Sequence, residues 1–212
     1  MNEKTVLIFD CDGVILDSNS LKIKAFLNTI KEYDNEIKVK FIQYVKSNFG
    51  KSRYHFFDYL LRKLIGNYKK STYEKLIKKF SQESYQLYLT CPITKGTKDF
   101  LKNSNHQSYI ATGSDQNEMI NVFKKKSLIQ YFQQINGSPR TKTEIIRNIL
   151  NSTKGFQHYY FIGDSQNDLN ACKNFKQINF IYMSEYSIHK EKFSNFNGLK
   201  IKNISELISI ID

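Results

Sequence analysis

The sequence predicts an α/β fold: a doubly wound, Rossmann-like parallel sheet interrupted early by an α-helical insertion. Three observations carry this expectation. Short, continuous apolar runs stop at polar turns. Helical patterns separate those runs. Residues from about Ser20 to about Thr90 hold helix-like stretches and no convincing strand. Strand, polar turn, helix, strand is the signature of a sheet with crossover helices, and its strands are buried on both faces.

The first run, Thr5 to Phe9, reads as a central parallel strand. A second, Ser108-Tyr109-Ile110-Ala111, ends at Thr112-Gly113-Ser114, and a third, Tyr159-Tyr160-Phe161-Ile162, ends at Gly163-Asp164-Ser165. Phe132 to Ile135 and Ile178 to Tyr182 are weaker candidates, so about five parallel strands are expected. Helical patterns cover Asp115 to Lys125, Lys142 to Leu150 and Asn167 to Asn174. In such sheets functional groups gather at the carboxyl ends of the strands. Asp10, Thr112 and Asp164 each fall at such an end.

Within the insertion, helices are expected over Leu21 to Tyr33, Val39 to Asn48, Tyr54 to Ile65 and Thr72 to Tyr88, with breaks at Gly50 and Gly66-Asn67. At roughly 70 residues it is large enough to bury a small core of its own. The expected division is therefore 1–18 and 91–212 for the α/β core, and 19–90 for the helical insertion.

Composition narrows the function classes. Hydrophobic residues make up 40% of the 212, which fits a folded globular chain. No apolar run approaches the roughly 20 residues needed to span a bilayer. The N-terminus reads as lacking a signal peptide, so a cytoplasmic location, with no membrane partner, is the expectation. The three cysteines, Cys11, Cys91 and Cys172, have no metal-ligand spacing and read as small buried hydrophobes. A formal charge of +12 invites a nucleic-acid reading, but lysines are spread along the chain and no nucleic-acid motif appears. We expect no nucleic-acid partner; a positive field would instead help draw in a phosphorylated anion.

Asp10 and Asp12 stand two residues apart where the first strand ends, which places both carboxylates on one side of an extended chain. Neighbouring carboxylates repel, so a cation or a shared proton must compensate. Mg²⁺ suits such oxygen ligands, and Gly13 permits an unusual turn. An acidic turn after a strand explains the same residues. Likewise Lys142 fits a surface lysine, Thr112 to Asp115 a helix N-cap, and Asp168 an acid favoured by a helix dipole.

Taken as an ordered set, these segments resemble the haloacid dehalogenase superfamily of phosphohydrolases. Asp10-Cys11-Asp12-Gly13-Val14 with Asp17-Ser18 is similar to its first signature, Thr112 to its second, Lys142 to its third, and Gly163-Asp164-Ser165-Gln166-Asn167-Asp168 to its fourth. The resemblance implies that Asp10 is a nucleophile forming an aspartyl-phosphate and Asp12 a general acid and base. It implies Mg²⁺ held by the Asp10 carboxylate, the Asp12 carbonyl and the Asp164 carboxylate. Thr112, Gly113 and Lys142 would hold the phosphoryl oxygens, with Asp168 orienting Lys142 or a metal-bound water. The family's dehalogenases lack the second aspartate, so Asp12 favours phosphoryl transfer. Many related mutases and phosphatases carry a histidine where this chain has Lys22, which favours hydrolysis over mutase activity.

The helical insertion, 19–90, resembles in position and size the cap domain of family members with a cap after the first strand, and the resemblance implies that substrate choice comes from this cap. Gly50-Lys51-Ser52-Arg53-Tyr54 resembles a cap segment of some relatives and nominates Arg53 for an anionic or polyhydroxyl part of the substrate. His55 reads as peripheral. The opening Asp17-Ser18-Asn19 then Leu21-Lys22 resembles relatives in surface-polysaccharide pathways. The expectation is a small phosphate ester, a phosphorylated sugar or sugar conjugate, acted on by a monomer or weak homodimer. Phosphoglycolate or a nucleotide is the second substrate reading, and a phosphate-binding regulatory protein is the non-enzymatic one.

Overall fold

A computed structural model describes residues 4–211. Six parallel strands form one sheet: β1 (Thr5–Phe9), β2 (Gln107–Asp115), β3 (Gln134–Ser138), β4 (His158–Gly163), β5 (Ile178–Met183) and β6 (Leu199–Ile201). Their spatial order is β3-β2-β1-β4-β5-β6, so β1 is central and the chain winds outward both ways. The short edge strand β6 was not expected. Its three residues, two of them exposed, carry too little apolar signal to stand out.

Every residue of β1 is buried, and alternation divides its side chains between two layers. Leu7 and Phe9 pack with Met119, Val122 and Phe123 of the helix Gln116–Lys125, whereas Val6 and Ile8 pack with Ile145, Ile146 and Ile149 of the helix Lys142–Ser152. A doubly wound sheet follows from this split. β2 runs beyond the expected stop at Ala111, through a register irregularity, to Asp115. Thr112 and Gly113 thus lie inside the irregular end of the strand rather than in a separate turn. β3 begins two residues later than expected, because Phe132 packs edge-on against Phe9 and Phe123 before the strand forms.

Four helices fill the segment after β1: α1 (Asn19–Thr29), α2 (Asn35–Ser47), α3 (Arg53–Tyr59) and α4 (Lys70–Thr90), with a π-helical turn over Leu60–Leu64 extending α3. They surround a third apolar cluster whose hub is Phe26, in ring contact with Phe41, Phe56, Phe57 and Phe80. Cutting Phe26 to alanine would cost about 3–5 kcal/mol on the usual scale for buried aromatics. The core helices follow in chain order: α5 (Thr97–Asn103), α6 (Gln116–Lys125), α7 (Lys142–Ser152) and α8 (Gln166–Cys172). No helix among the described residues is long and apolar enough to cross a membrane.

Candidate active site

The carboxyl ends of β1, β2 and β4 bring Asp10, Thr112 and Asp164 to one edge of the sheet, where all three are buried. Local chemistry explains how each partner arrives. Thr141 caps α7 in a reciprocal capping box with Glu144, which puts Lys142 in the first helical position. Ser165 caps α8 in the same way with Asp168, its backbone N–H donating to Asp168 Oδ2 at 3.0 Å and its hydroxyl at 2.6 Å. A lysine at a helix N-terminus opposes the helix dipole. Two carboxylates offset that cost: Lys142 Nζ donates to Asp10 Oδ2 at 2.8 Å and to Asp168 Oδ1. Burial disfavours the ammonium, but Asp10 and Asp168 together raise the Lys142 pKa above its usual value. Lys142 is therefore a permanent cation wedged between two acids, and Asp168 positions it.

The acids outnumber that cation. Carboxylate oxygens of Asp10, Asp164 and Asp168 lie within 4.8 Å of one another. Burial, then the charge of Asp168, pushes Asp10 up to about 7. Asp164 is raised as well, by burial first and then by Asp168 and Asp10. Oxygen atoms also go unused there: Asp10 Oδ1, Asp164 Oδ1 and Asn19 Oδ1 are buried and accept no hydrogen bond. Asn19 is oriented by its amide nitrogen, which donates to Asp164 Oδ2 at 2.6 Å and to the Tyr186 carbonyl at 2.9 Å. Unpaired hard oxygens with raised carboxyl pKa values suit a divalent cation such as Mg²⁺. Asp168 is less available to one, since both of its oxygens are taken by Lys142 and Ser165. Gly13 makes the crossing possible: its φ is +77°, and a Cβ there would collide with Asn19 and Asp164.

Asp12 is in a different environment. Its Oδ1 accepts from Ser18 Oγ at 2.7 Å and Tyr88 Oη at 2.8 Å. Its Oδ2 accepts from Lys22 Nζ at 2.7 Å and Ser114 Oγ at 3.0 Å. Burial works against the charge of Asp12, but the Lys22 ammonium and these hydrogen bonds prevail and hold its pKa at about 2. With four donors in place the side chain has nothing left for a metal, whereas the Asp12 carbonyl oxygen accepts no hydrogen bond among the described residues. Two adjacent aspartates are thus pushed in opposite directions by their neighbours.

Thr112 Oγ1 accepts from the Ser114 backbone N–H at 3.1 Å, leaving its own proton to donate. Gly113 lies against the helical insertion so closely that a Cβ would collide with the Gly50 carbonyl. Cys11 points to the opposite layer, where its thiol meets Met119 Sδ at 3.7 Å and burial raises its pKa, so it stays a protonated core residue.

Arg53 lies elsewhere than expected. It is only 2% exposed, and its guanidinium is spent on Glu118 at 2.8 and 3.0 Å and on Ser81 Oγ at 2.6 Å. It does not line the cleft that leads to Lys142. This arginine bridges the helical insertion to α6, with its charge paired to Glu118 and away from the cleft. His55 is not peripheral either: it lines that cleft, with Nε2 at 2.8 Å from Tyr44 Oη. Sequence reasoning also passed over Lys22, Ser114 and Tyr88 as neighbours of Asp12, and Asn19 as a neighbour of Asp164. Asn19 and Lys22 follow the first signature closely enough to be found; Tyr88, far along the chain at the end of α4, gave no signal.

Known proteins with this architecture are numerous. A predicted phosphoglycolate phosphatase from Haemophilus somnus superposes with a TM-score of 0.76 at 14% identity, over 100% of both chains. CbbY from Rhodobacter sphaeroides, solved with phosphate, gives 0.74 at 17% identity over 95% of each chain. A haloacid dehalogenase-like family hydrolase from Streptococcus pneumoniae gives 0.70 at 17% identity, over 99% of this chain and 100% of that one. At such identities the likeness concerns the fold. No curated protein matches the sequence. The family assignment comes from the sequence itself, because residues 7–183 match the haloacid dehalogenase-like hydrolase family. That span takes in Asp10, Asp12, Thr112, Lys142 and Asp164, and the chain belongs to the haloacid dehalogenase-like hydrolases.

Proposed function

We propose that this hydrolase is a Mg²⁺-dependent phosphomonoesterase acting on a small phosphorylated metabolite through an aspartyl-phosphate at Asp10. The observation that carries the reading is the split environment of Asp10: Oδ2 is held by Lys142, while Oδ1 stands unpartnered in a carboxylate cluster where Asp164 also keeps an unpartnered Oδ1. Asp10 Oδ1, Asp164 Oδ1 and the Asp12 carbonyl would hold the ion. Mg²⁺ supplies positive charge that keeps Asp10 ionised and neutralises the phosphoryl oxygens.

This chain's own groups do the rest. A carboxylate oxygen of Asp10 attacks phosphorus as the bond to the leaving oxygen breaks. Lys142 and the Thr112 hydroxyl would take up charge on the phosphoryl oxygens, with the Gly113 backbone N–H as a further donor. Asp12 gives a proton to the departing alkoxide, then removes one from the water that attacks phosphorus and frees Asp10. In the arrangement seen here Asp12 is ionised, the form needed for the second half. The first half needs Asp12 protonated and therefore withdrawn from Lys22.

The substrate reading is a phosphorylated sugar or related small metabolite. The surface-polysaccharide setting rests on the Asp17-Ser18-Asn19 opening alone. The haemophilus and CbbY structures, the latter also solved with xylulose 1,5-bisphosphate, support small phosphate esters as the class to screen. Inorganic phosphate release from a panel of esters, with Mg²⁺ and with chelator, tests the proposal. Release only with Mg²⁺ is expected. A protein that binds the esters without releasing phosphate would instead be a phosphate-binding regulator.

A further inference from the structure

The cleft leading to Lys142 measures about 360 Å³ and is walled by Lys51, Ser52 and His55 on the helical side and by Arg140 and Thr143 on the core side. Among the described residues no aspartate or glutamate lines it. Lys142 is already paired with Asp10 and Asp168, whereas Lys51 and Arg140 have no ion-pair partner among the described residues. Among the described residues the Lys51 ammonium meets only the His55 ring, Nζ to Nε2 at 3.4 Å. The Arg140 guanidinium is held by two amide oxygens, Gln116 Oε1 at 2.6 Å and Asn136 Oδ1 at 3.1 Å, neither of them charged. The acids that feel these walls are committed elsewhere: Glu144 caps α7, and Asp58 pairs with Arg62 at 2.7 Å. Burial, then Lys51, lowers the His55 pKa, so the imidazole is neutral near pH 7 and the uncompensated charge resides on Lys51 and Arg140.

From this we infer that the cleft takes a second anionic group of the substrate, a carboxylate or a second phosphate, between Lys51 and Arg140. The inference rests on the phosphatase reading for the first phosphate and adds a substrate class to it. Both ends of the ligand must be small, since about 360 Å³ is near the lower end for small-molecule sites. Arg140 is suited to the task because its two amide partners hold the planar fork in place before a ligand arrives. Lys51 adds a mobile point charge from the facing wall. Such an arrangement selects compact bis-anions over esters with an uncharged tail.

Calorimetric titration of an Asp10→Asn variant tests this separately from turnover. The probes are glycerol 3-phosphate, with an uncharged tail, 2-phosphoglycolate, with a carboxylate, and fructose 1,6-bisphosphate. At least one bis-anion should bind about tenfold or more tightly than glycerol 3-phosphate, the worth of one charge-assisted contact. Adding Lys51→Gln or Arg140→Gln should remove most of that advantage, and whichever bis-anion binds better names the second group. Arg140→Lys, which keeps the charge, should retain part of it, while circular dichroism verifies that each variant is folded. Equal affinities, no binding of either bis-anion, or an advantage that survives both substitutions would overturn the inference. Failure of the wild type to release phosphate would count against the phosphatase reading alone.

Discussion

Lys22 Nζ sits 2.7 Å from Asp12 Oδ2, and both side chains are only 4% exposed. The pair joins the first helix after β1 to the acid that the proposed mechanism uses, and it is the main reason that Asp12 stays ionised.

Replacing Lys22 with methionine should therefore strand a buried carboxylate and destabilise the protein by about 3–5 kcal/mol. Urea unfolding would measure this, and a Lys22→Met/Asp12→Asn double variant should recover part of the loss. The pH dependence has a definite sign. The folded-state pKa of Asp12 is about 2 against an ordinary 3.8, so its contribution is full above that ordinary value and disappears as pH falls toward 2. Lys22→Met should flatten this acid limb; an unchanged limb would show that Lys22 does not hold Asp12.

Arg53→Ala should act on stability before it acts on specificity. It leaves Glu118, whose side chain is 9% exposed, without its bidentate partner. A loss of about 3–5 kcal/mol is expected, and Glu118→Gln in the same chain should restore some of it. If Arg53→Ala keeps wild-type stability and loses affinity only for the natural ester, the arginine belongs to the substrate after all.

Asp164→Asn separates the metal from the fold. Removing one of three crowded carboxylates relieves repulsion, so the metal-free variant should melt at or above the wild-type temperature, by about 2–4 °C per kcal/mol relieved. Mg²⁺ should raise Tm for the wild type and leave the variant nearly unmoved. Equal Mg²⁺ stabilisation of both proteins would remove Asp164 from the ion site.

Much of this site was legible in the sequence because its residues end buried strands or begin capped helices, places that composition and turn chemistry mark. Asp10 and Asp164 follow apolar runs, and Lys142 and Asp168 follow the N-caps Thr141 and Ser165. What escaped depends on packing between distant segments. Arg53 reads as a substrate contact until Glu118, 65 residues away, is seen to meet it. Tyr88 joins Asp12 only because α4 returns the chain to the sheet edge. His55 acquires its place in the cleft from the approach of the insertion to Arg140 and Lys142, which no local pattern records. The edge strand β6 went unseen for a related reason, since it is paired on one side and largely exposed.

The central claim is that Asp10 is the nucleophile. Acid-quenching the protein during turnover, digesting it and weighing its peptides tests this most directly. The account predicts a Mg²⁺-dependent gain of one phosphoryl group on the peptide containing Asp10, absent in Asp10→Asn, which should also release no phosphate. Near-normal phosphate release by Asp10→Asn, or a phosphoryl group carried on another residue, would contradict it.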